Sequence, residues 1–218
     1  MTEEQVRWRV DEAPGPAECA EVLAAAFVRE GTGRWICRGS DSVRRRWFAG
    51  LLGTQATVAG GRRALLTGPD GRAVGAAVLT PPGGSPSVGA RLAWTVRTLA
   101  LCGGRTFTRT LRYLDRTERL APPGAWTLEF IGIRPEDAGR GAGRWLLGEL
   151  LDRTPAPEGV FLTTSDAVNV GFYESFGFIV LERLRIGPLE TTAMWRPPGA
   201  TAPRRAASGR SLPEWPFT

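Results

Sequence analysis

Three glycines at alternate positions, Gly139, Gly141 and Gly143, stand between two apolar runs. The run before them, 126–133 (WTLEFIGI), reads as a strand; the run after them, 141–152, has helical spacing. Glycines at such a handover let a ligand come close to the backbone. The first turn of a helix has free N–H groups. Together they can hold a diphosphate without a dedicated lysine, and Arg140 and Arg144 are placed to add positive charge at the rim. The Gly-Lys-Ser/Thr ending of a P-loop is absent. A dinucleotide fingerprint would follow the first strand, whereas these glycines follow roughly the fourth. On the glycines alone, a flexible loop with a helix cap is an equally good reading.

Glu129 is the second residue that needs a chemical reason. It interrupts an otherwise apolar strand, and burying an unpaired charge is costly. A period of two puts Glu129, Ile131 and Ile133 on one face. The carboxylate is then a base (direct or through water), a salt-bridge partner of a helix arginine, or an anchor for substrate.

Other chemistries are excluded by composition. The chain has no His and three Cys, Cys19, Cys37 and Cys102, without metal-ligand spacing, so nearly every common zinc layout is excluded and no metal is expected. Nucleophile systems that need a His base go with them. The low, odd Cys count suits a reducing, cytoplasmic setting, and the cysteines read as small buried hydrophobes. The residues Met1–Asp11 are polar and alternating, unlike a signal peptide. The longest apolar stretches fall short of a membrane span, so no membrane partner is expected.

These residues must be positioned by a chain of 218 residues, in which 28 Lys+Arg against 22 Asp+Glu leave a charge of +6. That length fits one domain, assigned to 1–198, with a Pro-, Gly-, Ser- and Arg-rich tail at 199–218 read as disordered. Residues 5–11 alternate as a strand, and Ala17–Arg29 has helical spacing that Gly31 and Gly33 end. A second helix starts near Ser40 or Asp41, with Asp41 as its cap and Arg44, Arg45 and Arg46 on a solvated face. Residues 63–67 and 73–79 form a hairpin around GPDGR. Residues 87–119 are helical with a break at Cys102–Gly104; Ala90, Leu92, Ala93, Val96 and Leu99 carry the packing face of the first half. After the glycine loop come a strand at 159–164, a short helix at 168–176, and a closing antiparallel pair at 178–186 and 189–195. The positive charge is spread thinly, which favours a solvated basic surface over nucleic-acid binding.

The segment 126–178 resembles the GNAT superfamily of acetyl-CoA-dependent N-acetyltransferases. The signature Gln/Arg-x-x-Gly-x-Gly/Ala falls on Ala138 to Gly143, with Ala138 in place of Gln or Arg. A second signature, Asn-x-x-x-Phe-Tyr-Glu-x-x-Gly-Phe, is matched by Asn169–Phe178 with its first gap shortened to two residues. A weaker likeness is to the puromycin N-acetyltransferase branch. The resemblance implies an α/β fold with a mixed, mostly antiparallel sheet of about six or seven strands flanked by helices. Strands four and five are then splayed, and the arm of acetyl-CoA lies between them. It implies that Ile131, Gly132 and Ile133 pair with the arm, with Gly132 open on the arm's side. Gly139, Arg140, Gly141, Ala142, Gly143 and Arg144 then bind the diphosphate, and Asn169 contacts the arm. Tyr173, one of two tyrosines, then protonates the leaving thiolate. For the amine proton, Glu129 is the base candidate from its own position in the strand, beside a water relay or an amine that arrives neutral.

The expected reaction is direct transfer of an acetyl group to a primary amine of a small molecule, in a ternary complex, by a monomer or homodimer. A peptide acceptor needs an open groove, whereas 87–119 can roof a compact pocket. The rival from another class is a non-catalytic acyl-CoA-binding regulatory module; a nucleic-acid-binding protein is the more distant one.

Overall fold

The computed structural model describes residues 8–200; the expected tail, apart from Gly199 and Ala200, lies outside the described residues. The chain runs through β1 (Arg9–Asp11), α1 (Pro16–Ala26), α2 (Gly31–Cys37), α3 (Asp41–Gln55), β2 (Arg62–Thr67) and β3 (Ala73–Thr80). It continues through α4 (Val88–Cys102), α5 (Gly104–Thr117), β4 (Trp126–Ile133), α6 (Ala142–Arg153), β5 (Val160–Thr164), α7 (Ala167–Glu174), β6 (Ile179–Ile186) and β7 (Leu189–Arg196). The seven strands form one sheet in the order β1-β2-β3-β4-β5-β7-β6. Every pairing is antiparallel except β4 with β5. This is the mixed, helix-flanked sheet expected from the sequence.

Two cores sandwich the sheet. On one face Leu23, Phe48 and Leu52 of α1 and α3 pack against Leu65, Ala76 and Val78. On the other, Leu146, Leu147 and Leu150 of α6 join Phe172 and Phe176 under Ile131, Ile133 and Leu162. A ring cluster holds α1, α3 and β4 together: Phe130 meets Phe27, Trp47 and Phe48 edge-on at centroid distances of 6.0, 6.2 and 5.3 Å. Edge-to-face packing of this kind adds to area burial.

Four local readings of the sequence are corrected. Gly31 and Gly33 do not end a helix; they begin α2. The Glu30 carboxylate caps it by accepting the Gly33 N–H at 2.7 Å, and a Cβ on Gly33 would lie 3.1 Å from the Phe27 carbonyl oxygen. The α1–α2 junction is therefore too tight for a larger residue there. Second, Ser40, not Asp41, caps α3, its hydroxyl accepting the Val43 N–H. Third, Arg44 is buried: it donates to the Ala24 carbonyl at 2.7 Å and pairs with Asp41 at 2.9 Å, leaving Arg45 and Arg46 on the wet face. Fourth, α4 is turned over. Trp94 and Thr98 are its buried residues, and Leu92, Val96 and Leu99 face outward.

The separation of β4 from β5 has a local cause. Along β4, Phe130 pairs with Val78 and Leu128 with Leu79, so Glu129 is the extra residue of a β-bulge. A bulge bends its strand and raises the local twist. The parallel pairing with β5 covers only Trp126–Leu128, although β4 runs on to Ile133 and β5 to Thr164. From Glu129 onward the β5-facing edge of β4 has no strand partner.

The bulge also undoes the expected side-chain period: Trp126, Leu128, Ile131 and Ile133 share one core, while Phe130 belongs to the other. Glu129 thus does not share a face with Ile131 and Ile133 by simple alternation. Gly132 is not open toward an arm either, because a Cβ there would lie 2.7 Å from Ala26 Cβ and 3.1 Å from the Phe27 ring. Its missing side chain lets α1 sit on the sheet. Gly132→Ala should therefore lower stability by about 1–3 kcal/mol through overpacking, read by urea unfolding; unchanged stability would show that α1 has room to shift.

Candidate active site

The glycine loop is braced from below. Arg134, leaving β4, donates to the Ala73 carbonyl at 2.9 Å and reaches Glu21 at 3.1 Å. Pro135–Asp137 makes one 3-10 turn, and buried Asp137 accepts from Arg72 at 2.7 Å while Glu136 accepts from the same guanidinium at 3.0 Å. The hairpin turn between β2 and β3 is thus tied to the loop, and these carboxylates raise the Arg72 pKa, Asp137 most. Held this way, Gly139 and Gly141 take φ of 78° and 75°, a region in which L side chains are strained.

Gly141 is the residue before α6, and no side chain caps that helix. A Cβ on Gly139 or Gly141 would meet nothing within 4 Å. Ala142 and Gly143, which begin the helix, are themselves buried, and no side chain takes up the N–H groups of this first turn. Arg140 is on the rim, exposed, with Asp137 at 3.6 Å. Arg144 is not on the rim as expected: it lies over the Phe172 and Phe176 rings at 5.6 and 5.2 Å and donates to Ser175 at 3.3 Å. Burial lowers its pKa, and its Nη2 has no hydrogen-bond partner.

Beyond the last paired residues of β4 and β5, a cavity of about 560 Å³ opens between the strands and the helices. Glu129, Phe130 and Ile131 line it from β4, Thr163 and Ser165 from the end of β5, Asn169 and Tyr173 from α7. Trp94, Tyr113 and Glu118 close it from the α4–α5 side, so 87–119 does roof a pocket. Ile133, Gly132 and the glycine loop lie outside this lining.

Three carboxylates face the cavity, with Arg91 as the one arginine among its lining residues. Glu129 projects from the bulge and is an exposed residue on the cavity wall. The protein packed around its carboxyl still pushes its pKa up to about 7; the charge of Glu118 adds to the rise and the Thr80 hydroxyl opposes it. Burial also raises Glu30 and Glu118, against backbone and Thr32 hydrogen bonds at Glu30. Tyr173 is buried, and its pKa is raised well above the ordinary phenol value, first by burial and then by the charges of Glu30 and Asp166. Its hydroxyl therefore stays protonated. Asn169 is buried with an unpartnered Oδ1.

Sequence reasoning missed Glu30, Glu118 and Tyr113. Tyr113 reads as one apolar position of a helix, yet its hydroxyl bonds Thr163 at 2.9 Å and burial raises its pKa to about 12. A hydroxyl relay continues beside it, Thr32 donating to Ser165 at 2.9 Å and Ser165 meeting Thr191 at 2.9 Å. The available signal for Glu30 was an acidic residue immediately before a Gly-x-Gly, a helix-capping position hidden by the glycines. Among the described residues no cluster of His, Cys, Asp and Glu could hold a metal, and no helix is long and apolar enough to cross a membrane.

A scan against protein-family models and a search of curated proteins match nothing. Solved structures do match. The structure of histone acetyltransferase HPA2 and related acetyltransferase from Corynebacterium glutamicum has a TM-score of 0.67 at 22% identity, over 88% of this chain and 96% of that one. Arylalkylamine N-acetyltransferase 2 from Aedes aegypti has a TM-score of 0.58 at 12% identity, over 88% and 99%. The C-terminal condensation domain of Ebony has 0.56 at 11% identity, over 88% and 100%. At these identities the likeness defines the fold: the GNAT-like acyl-CoA N-acyltransferase architecture, with its fourth and fifth strands parallel and parting. No branch within that fold is singled out.

Glu129 binds a proton more tightly folded than unfolded, so stability falls as pH rises from its ordinary carboxylate value toward about 7. Glu129→Gln should therefore raise Tm relative to the parent above a pH of about 8 and leave it nearly equal below a pH of about 4, as read by thermal denaturation across pH. An equal Tm at both ends would mean that the carboxylate is well solvated.

Proposed function

We propose that this protein is an N-acetyltransferase that moves the acetyl group of acetyl-CoA to a primary amine of a small molecule. The observation that carries the reading is an inversion of sign. A chain of net charge +6 holds a cavity faced by Glu30, Glu118 and Glu129, and that cavity opens at the split between β4 and β5. A cationic amine is drawn into such a site. The walls contributed by Trp47, Leu51, Trp94, Leu114 and Phe161 favour an amine with an apolar body.

The residues present fit acetyl-CoA. The open start of α6 suits a diphosphate, through N–H groups that no side chain occupies. Arg140 adds charge at the rim. The unpaired edge of β4 from Glu129 to Ile133 suits the amides of an extended arm. The buried Asn169 Oδ1, without a protein partner, accepts from that arm. When bound, acetyl-CoA supplies an activated acetyl thioester, which is exchanged for an amide as one C–N bond forms and one C–S bond breaks.

The chain manages the two protons. Glu129, with a pKa of about 7, is matched to general-base work near neutrality. Its carboxylate takes the proton that the amine loses, directly or through one water. Tyr173, kept neutral by burial, gives its proton to the departing sulfur. Glu30, fixed by the Gly33 N–H, presents carboxyl oxygens at the cavity wall that can accept from the amine. The roof formed by α4 and α5 favours a compact acceptor over a peptide.

Tyr173→Phe should lower kcat by about 10²–10⁴-fold with little change in acetyl-CoA affinity, measured by thiol release over a panel of aryl- and alkylamines; parental turnover would remove Tyr173 from the chemistry. Glu129→Gln should abolish the rise of kcat/KM through a pH of about 7. Gly141→Glu places a carboxylate where the diphosphate sits. It should abolish acetyl-CoA binding by calorimetry, and normal binding would move the cradle elsewhere.

A further inference from the structure

The outer face of α4 is apolar and uncovered. Val88, Leu92, Val96 and Leu99 are 73, 65, 58 and 45% exposed. At about 100° per residue they fall, with Ala93 and Ala100, in one sector of about 140°. No charged residue interrupts that sector. Arg91 stands at one border and Arg97 at the other, both exposed. Buried Trp94 and Thr98 fix the opposite side of the helix against the protein, so α4 cannot roll to hide the stripe. The sequence reading gives these residues to the core and expects no membrane partner. The opposite side is seated by Trp94, whose indole lies against Gly50 and tilts on the Phe107 ring at a centroid distance of 5.6 Å.

We infer that this face is a docking surface for an anionic lipid bilayer. A helix lying in the plane of a membrane interface needs a wide apolar sector and basic residues that snorkel from its borders. Val88–Leu99 with Arg91 and Arg97 has that arrangement. Charge decides the occupant. Along α4 itself, Val88–Cys102, Arg91 and Arg97 are the charged residues and none is acidic, so two copies meeting on this face would bring like charges together. An anionic leaflet attracts the same field. Arg91, Trp94 and Thr95 of the same helix line the cavity on its inner side. Binding here would set the cavity beside a lipid surface.

The full chain should be cosedimented with phosphatidylcholine vesicles, with and without phosphatidylglycerol, at low and high salt. The expected result is binding to the phosphatidylglycerol vesicles that weakens with salt. Leu92→Glu combined with Val96→Glu should reduce partitioning on the order of tenfold or more, and Arg97→Gln should reduce its salt dependence. Circular dichroism checks the fold of each variant, and acetyl-CoA binding, which does not involve these residues, separates loss of docking from loss of the catalytic site. Undiminished binding by the double glutamate variant would overturn the proposal. So would sedimentation of the parent as a dimer that this variant dissociates without any vesicle binding, which would assign the face to a second copy.

Discussion

The arrangement depends on one extra residue in one strand. Glu129 has no opposite number on β3, and the bend it introduces falls where the parallel pairing with β5 stops. A sheet that stayed paired to its ends would have no internal edge and no space between its two central strands. The same displacement turns a carboxylate out of the alternating pattern and into the cavity. Opening the sheet and delivering an ionisable group to the opening are therefore a single geometric event. Its cost in lost ladder hydrogen bonds is met by two cores that clamp β4 from both faces, Phe130 among the rings on one side and Ile131 and Ile133 under α6 on the other.

Around this opening the protein separates rigid parts from charged ones. The glycine loop is stiffened by ion pairs to distant chain: Arg72 of a hairpin turn holds Glu136 and buried Asp137, and Arg134 at the strand end pairs with Glu21 of α1. The cavity is left with unneutralised carboxylates. Burial is the largest cause raising all three of their pKa values. Half-buried Tyr113 and buried Tyr173 line the same cavity and are pushed toward the neutral phenol, chiefly by the protein packed around them.

The strands, the helix after the glycines and the helix bearing Tyr173 were legible because each carries an uninterrupted local signal. β4 is apolar and β-branched between a Pro-Gly break and a Pro, and its predicted limits coincide with the observed ones. What the sequence concealed was non-local. The bulge at Glu129 is a matter of register against β3, and single-strand periodicity cannot see it. α2 was hidden because Gly31 and Gly33 look like terminators until the close approach to Phe27 is known. The burial of Arg44 depends on a carbonyl of α1 twenty residues earlier. Apolar spacing in α4 marked one face as different from the other, but which face meets the protein was decided by Trp94. The candidate site was therefore readable as a list of backbone and motif residues, and unreadable as a cavity, since Glu30, Glu118 and Tyr113 reach it only through tertiary packing.

Arg144 gives the two ends of this site a common fastening. Its guanidinium rests on Phe172 of α7 and on Phe176 just past its end and bonds Ser175, while its own backbone belongs to the first turn of α6. The spacing between the helix start that faces the glycines and the helix that carries Tyr173 is thus set by a contact whose charge does not titrate in the physiological range. Under the proposed reading, that contact would act as a gauge of length: an elongated cofactor would have to match the span from the helix start to Tyr173.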